Sequence, residues 1–234
     1  MSRSSAFILG LAFIIGSIVV FFGGLKLGEE FLSKERSVIV KGLSQREVEA
    51  DIIVLPIQFS KASNDLNALS IELESDSKKI YNFLLESGFS NDEITFMPNT
   101  INDKIGNSYN SDAQIAYRYD GSGGLTLYTD KIKLARDVMN NLSSLSKQGV
   151  IIQINNYEIE YLYTKLNDIK PLMIEEATNN AREVASKFAQ DSNSSLGKIK
   201  KASQGQFSIQ NRDKNTKHIK TIRVVSTIEY YLKD

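Results

Sequence analysis

His218 is the single histidine of the 234-residue chain, and there is no cysteine beside it. Imidazole is the side chain that ordinarily moves protons near neutral pH, so His218 is the first residue to test for acid–base work. It stands in RDKNTKHIKTIR, a basic stretch at a hairpin tip, where a histidine is ordinarily solvated. One histidine without a thiol excludes a His-Glu-x-x-His zinc site, a thiolate metal site and thiolate catalysis. Ser-His-Asp chemistry would need His218 itself, and no G-x-S-x-G elbow accompanies it. Glu158 and Glu160 sit two apart, so in a strand both would share a face. Such a pair divides acid and base roles only where burial splits its pKa values. With Tyr157 and Ile159 on the buried side, the two glutamates face water. Glu175 and Glu176 near a helix start complement the helix dipole. GSGG at 121–124 leads into a strand and lacks the G-K-[ST] ending of a phosphate cradle. No residue is assigned a catalytic, cofactor-binding or metal-binding role, and the chain reads as a non-enzyme.

Binding chemistry is more visible than catalysis. Lys198, Lys200, Lys201, Lys214, Lys217 and Lys220 concentrate positive charge on the final hairpin. That charge suits anionic lipid headgroups or an acidic surface on a second copy. The competing reading is a solvated edge that resists aggregation. Tyr157, Tyr161 and Tyr163 form a stripe that reads as core or subunit interface before ligand platform. The spacing of polar residues offers no convergent pocket, and no small-molecule ligand follows from it.

These residues need elements to position them. Val38/Val40 and Val48/Ala50/Ile52/Val54 alternate as half-buried strands, predicting an opening β-hairpin around Gly42. Ile53, Leu55, Ile57 and Phe59 occupy the other face of the second strand, so it is expected to be covered on both sides. Pro56 there, without an N–H, belongs at an edge or a bulge. Residues 64–87 predict a helix with Asn64 or Asp65 as N-cap and Gly88 just past its end. Strands follow at 93–101 and 113–119, split by a polar loop, and DGSGG at 120–124 is expected to break or bend the sheet. A second helix is predicted over 131–146, and a strand over 150–163 with Tyr157, Ile159, Tyr161 and Tyr163 on one face. In a third helix, 168–190, Ile169, Met173, Ala177, Ala181, Val184, Ala185 and Phe188 fall on one side. Two strands, 197–209 and 219–232, close the chain. Hairpins rather than strict βαβ alternation predict an α+β fold: antiparallel sheet with about three packed helices.

Residues 6–25, AFILGLAFIIGSIVVFFGGL, carry no charge and one hydroxyl. As a helix this run would span about 30 Å, the hydrocarbon thickness of a bilayer. A cleaved signal peptide has a shorter apolar region, about 7–15 residues, and small residues before its cut site. Cleavage after Gly23 or Gly24 would put Phe21 or Phe22 three residues before the cut, which favours an uncleaved transmembrane anchor. The predicted organisation is a short tail at 1–5, the anchor at 6–25, a charged connector at 26–36 and an extracytoplasmic domain at 37–234. Of 28 basic and 28 acidic residues, 27 and 28 follow residue 25, Arg3 alone preceding it. A near-neutral domain argues against nucleic acid as a partner.

Gly42 and Asp51 lie nine positions apart in SVIVKGLSQREVEAD. A strand, a glycine, a short turn, a second strand and an acid in that order resemble the opening motif of the SIMPL-domain proteins of bacterial envelopes. That family usually has a second glycine two residues after the first and a proline before the acid, where this chain has Ser44 and Ala50. A second block, Ala177, Ala181, Arg182, Ala185 and Ala189 leading to Leu196 and Gly197, matches the family's alanine helix and Leu-Gly. The third is the closing run IKTIRVVSTIEYYL. Gly42 is expected to provide a backbone conformation or a close approach, and Asp51 to accept local backbone hydrogen bonds. The resemblance implies a single-pass protein of the cell (inner) membrane, its C-terminal domain in the periplasm or outside the cell. It also implies a homo-oligomer without cofactor or settled activity. The alternative it leaves open is a stress-response binding module, linked to oxidative or DNA damage.

Overall fold

The computed structural model describes residues 16–17, 36–107 and 116–233. The anchor expected over 6–25 lies outside the described residues apart from Gly16 and Ser17, which are helical. Among the described residues no helix is long and apolar enough to cross a membrane. The fold is α+β, with two antiparallel sheets and, among the described residues, three helices longer than one turn. The chain divides into two compact units. The first takes the described residues up to Ser44, Ile174–Gln206 and those from Val225 onward; the second takes Gln45–Met173 and Phe207–Val224.

The opening hairpin is not formed. Strand β1 (Ser37–Glu49) runs unbroken through Gly42, because inward-facing Val40, Gly42 and Ser44 keep a period of two across the glycine. The turn comes at Ala50 and Asp51, and β2 (Ile52–Ser63) joins the other sheet. Strand β1 is hydrogen-bonded to β9 (Ile219–Lys233), and β9 to β7 (Ser195–Gln204) and to the short β8 (Ser208–Asn211). Helix α3 (Leu166–Asp191) contributes Ala181 and Ala185, which pack with Val40, Ile228 and Tyr230. Ala177, Ala181, Ala185 and Ala189 are all buried, whereas Val184 and Phe188 are 41% and 57% exposed, contrary to the predicted stripe. Alanine brings the helix so near its neighbours that one row four residues apart fills the contact. Residues one step round the helix stay outside. The helix terminates with Asn193 in the left-handed region (φ 52°), which asparagine tolerates, and Ser194 N–H donates to the Ala189 carbonyl at 2.8 Å.

In the second unit the sheet order is β3 (Ile94–Asp103), β4 (Tyr119–Thr129), β2 and β5 (Ile152–Gln153), with β6 (Glu160–Leu162) also on β2. Ile53, Leu55, Ile57 and Phe59 of β2 form its core with Leu125 and Leu127 of β4 and Leu69, Leu73, Ile80 and Leu84 of α1 (Leu66–Glu86). A fully buried aliphatic or aromatic side chain stabilises by about 1.5–3 kcal/mol. The opposite face of β2 is half-buried at Val54, Pro56 and Gln58. Asp65 caps α1 by accepting from the N–H groups of Asn67 and Ala68, and Gly88 follows the helix at φ +100°. Pro56 pairs across to Thr126 on one side. On the other side it falls between the residues bonded to β6 (52–54) and those bonded to β5 (58–59), so no ladder bond is lost.

Two further stretches depart from the sequence expectation. DGSGG does not break the sheet: β4 runs through it and pairs with both β2 and β3. The glycines are there for room, since a Cβ on Gly123 would stand 2.7 Å from the Phe59 ring and 2.1 Å from Asn99 Oδ1. Residues 150–163 are not one strand but two short ones, β5 and β6, separated by a turn. Tyr157 lies in that turn, 91% exposed, while Ile159 is buried. Helix α2 (Ile132–Asn141), continued by the 3-10 segment Leu142–Gln148, packs Ala135, Val138, Leu142 and Leu145 into the same core.

Candidate functional site

The residues singled out in the sequence do not converge on one place. Eight of the nine belong to the first unit and Asp51 to the second. Gly42 meets α3 backbone to backbone: a Cβ there would lie 1.8 Å from the Ala177 carbonyl oxygen and 2.5 Å from the Ala181 nitrogen. Its role is close approach, since its φ is not left-handed. Beside it, Asn180 Nδ2 donates to the Leu43 carbonyl (2.7 Å) and Ser44 Oγ to Glu176 (2.8 Å), stitching the strand to the helix. Arg182 is exposed. Leu196 packs against the cluster around Val40, and a Cβ on Gly197 would stand 2.8 Å from the Tyr231 carbonyl oxygen.

Asp51 accepts hydrogen bonds, but not local ones. Thr164 N–H reaches Oδ1 at 2.9 Å and Oδ2 at 3.1 Å, and Thr164 Oγ1 donates to Oδ2 at 2.9 Å. Together with Asp51 N–H donating to the Leu162 carbonyl, these bonds tie the β1–β2 turn to the segment leading into α3.

The chemical candidates are also rearranged. Glu158 accepts from Gln58 Nε2 and Asn155 Nδ2 and sits in a turn, so it shares no strand face with Glu160. The six lysines are divided between the units, Lys198, Lys200 and Lys201 in the first and Lys214, Lys217 and Lys220 in the second. Lys200 pairs with Glu229 at 3.4 Å, and Lys220 is buried against Asn211. Burial pushes the Lys220 ammonium below its ordinary value despite the opposing pull of Glu160. Lys198, Lys200 and Lys201 are exposed along β7, a solvated basic stretch, whereas Lys220 is buried.

His218 is not a free tip residue. Its carbonyl accepts from Ala50 N–H at 2.8 Å, and its half-buried ring lies 6.0 Å from that of Tyr161. It borders a cleft of about 280 Å³ in the second unit. Arg136 reaches the cleft from α2, and Lys214, Lys217 and His218 from the turn before β9. Met139, Ile159 and Tyr161 supply an apolar wall. A second hollow of about 710 Å³ shares Asn156, Lys214, Asn215 and Lys217 with the first. Burial and then the Arg136 charge lower the His218 pKa. Burial raises the Tyr161 phenol, with Arg136 opposing it. Such a cleft holds fixed positive charge suited to an anion.

The sequence drew attention to Lys214, Lys217, His218 and Tyr161 separately, but not to their meeting with Arg136. Arg136 is 78 residues before Lys214, and the two segments come to one cleft only through the fold of the second unit. Among the described residues no group of three histidine, cysteine, aspartate or glutamate side chains could hold a metal ion.

No curated protein matches the chain. Residues 38–222 match the SIMPL family, whose description reads "Protein of unknown function (DUF541)". The match spans well over half of the 234 residues, and the chain belongs to the SIMPL family.

Proposed function

We propose that this SIMPL protein is a single-pass envelope component that holds its 37–234 domain outside the cytosol and self-associates, without catalysing a reaction. The observation that carries the anchor is the uncharged 20-residue run at 6–25, long enough to span a bilayer. Self-association is supported by β1, whose face opposite Val40 and Gly42 presents Ile39 and Leu43, 65% and 41% exposed. Apolar side chains on the uncovered face of an edge strand are what a second copy would bury.

Two measurements test this reading. Protease added to intact spheroplasts should digest the domain from outside; a domain protected until lysis would overturn the placement. Light scattering of the full chain in mild detergent should give two or more copies, and Ile39→Asp with Leu43→Asp should release monomers of unchanged circular dichroism. A monomeric unmodified chain would overturn self-association. The cleft around Arg136 and Lys217 favours a second reading, a binding module, because its charge is convergent and its cations are not neutralised by lining carboxylates.

A further inference from the structure

The cleft of the second unit is built in a way that a solvated lysine edge is not. Among the described residues no aspartate or glutamate lines it, so Arg136, Lys214 and Lys217 meet without a neutralising partner in that wall. Two carboxylates act on His218 from outside that wall, Glu49 and Asp213, and Asp213 also lines the adjoining hollow, with its own hydrogen bonds made. The Asp213 carboxylate accepts from the N–H groups of Asn215 and Thr216 and from the Thr216 hydroxyl, and pairs with Arg212. Arg136 makes no ion pair among the described residues.

Part of the site is already held in place. Lys217 Nζ donates to the Asn156 carbonyl at 2.6 Å and lies 5.6 Å from the centre of the Tyr157 ring. An ammonium has three N–H donors, so two remain for a ligand while the carbonyl fixes the third. A cation positioned before the ligand arrives loses less side-chain entropy on binding. Like charges brought together in a concave site repel one another, and an oxyanion relieves that repulsion. Against the charged side stand Met139, Ile159 and Tyr161, which would meet an apolar body rather than a bare ion.

We propose that this cleft binds a phosphate or carboxylate group carried on a small, partly apolar ligand. The oxyanion lies between the Arg136 guanidinium and the Lys214 and Lys217 ammonium groups, and the apolar portion lies over Met139, Ile159 and Tyr161. This goes beyond the self-association reading and does not depend on it, since Ile39 and Leu43 belong to the first unit.

Isothermal titration of the full chain in a neutral detergent tests the proposal with phenyl phosphate, benzoate, inorganic phosphate and benzyl alcohol. Phenyl phosphate, benzoate or both should bind saturably, and tighter than inorganic phosphate or benzyl alcohol, which each carry half of the recognised chemistry. Which of the two binds more tightly tells a phosphate ligand from a carboxylate one. Arg136→Gln and Lys214→Gln should each weaken binding about tenfold, the worth of one hydrogen bond to a charged group. Lys198→Gln, in the first unit, should leave it unchanged. Arg136 is exposed and both variants should keep the circular dichroism of the parent; if one fails to fold, the other decides by the same criterion. Absence of saturable binding by phenyl phosphate and benzoate at millimolar concentration, or binding indifferent to both substitutions, overturns the proposal.

Discussion

Gly42 and Ala177 approach so closely that no side chain fits between them: a Cβ at 42 would lie 1.8 Å from the Ala177 carbonyl oxygen. The obstacle is backbone, which cannot rotate away as a side chain can. This contact lets the strand lie directly on the row of buried alanines in α3.

Gly42→Ala should therefore cost more than a usual overpacking change, about 3 kcal/mol or above, measured by denaturant unfolding. Ala177→Gly should fail to rescue it, because the clash is with the carbonyl group. Ala181→Gly should restore a part, since the Ala181 Cβ is itself 2.9 Å from the added atom. A neutral Gly42→Ala would sink this account.

Asp51 gathers three hydrogen bonds from Thr164, and the loss of a buried or half-buried acceptor leaves its donors unpaired. Asp51→Ala should destabilise by about 1–3 kcal/mol. Thr164→Val should remove only the hydroxyl bond and cost less. In a double-mutant cycle the two should couple, because they remove the same interaction. Additive losses would show that Asp51 acts elsewhere.

Glu93 gives the fold a pH dependence. Burial alone would raise its carboxyl, but hydrogen bonds from Thr129 Oγ1, Ser90 N–H, Lys131 Nζ and Ser90 Oγ outweigh that and bring it down from 4.5 to about 2. The folded value lies below the unfolded one, so the stabilisation is complete above about pH 4.5 and is lost as the pH falls through about 2. Glu93→Gln should lower stability at pH 7 by roughly 1–3 kcal/mol and by much less at pH 2. An equal loss at both pH values would contradict this origin.

Much of the fold could be read from the chain because the signals are local. Asp65 and Gly88 bracket α1 through capping and a left-handed residue, both encoded within one turn. The alternation of Ile222, Val224, Ile228 and Tyr230 in β9 reports one buried face directly. What misled was long-range. DGSGG has the composition of a turn, yet its glycines make way for Phe59 and Asn99, which are distant in sequence. Gly42 likewise answers to Ala177, 135 residues away, so a strand interior looked like a turn. The tyrosines of 157–163 alternate as a strand would, but the turn at 156–158 takes Tyr157 into solvent. The basic cleft was half visible: Lys214, Lys217 and His218 stood out in the basic stretch before β9, but Arg136 looks like an ordinary surface cation of α2.

Strand β9 is the middle member of β1–β9–β7, although it follows every other strand in sequence. During synthesis, then, β1 and β7 are made before the segment that joins them exists, and the first unit has no sheet to close until that segment is free. Loop closure across nearly the whole domain is entropically slow. The two outer strands of this sheet thus wait, unpaired, for the strand between them, which makes its completion a late step of folding.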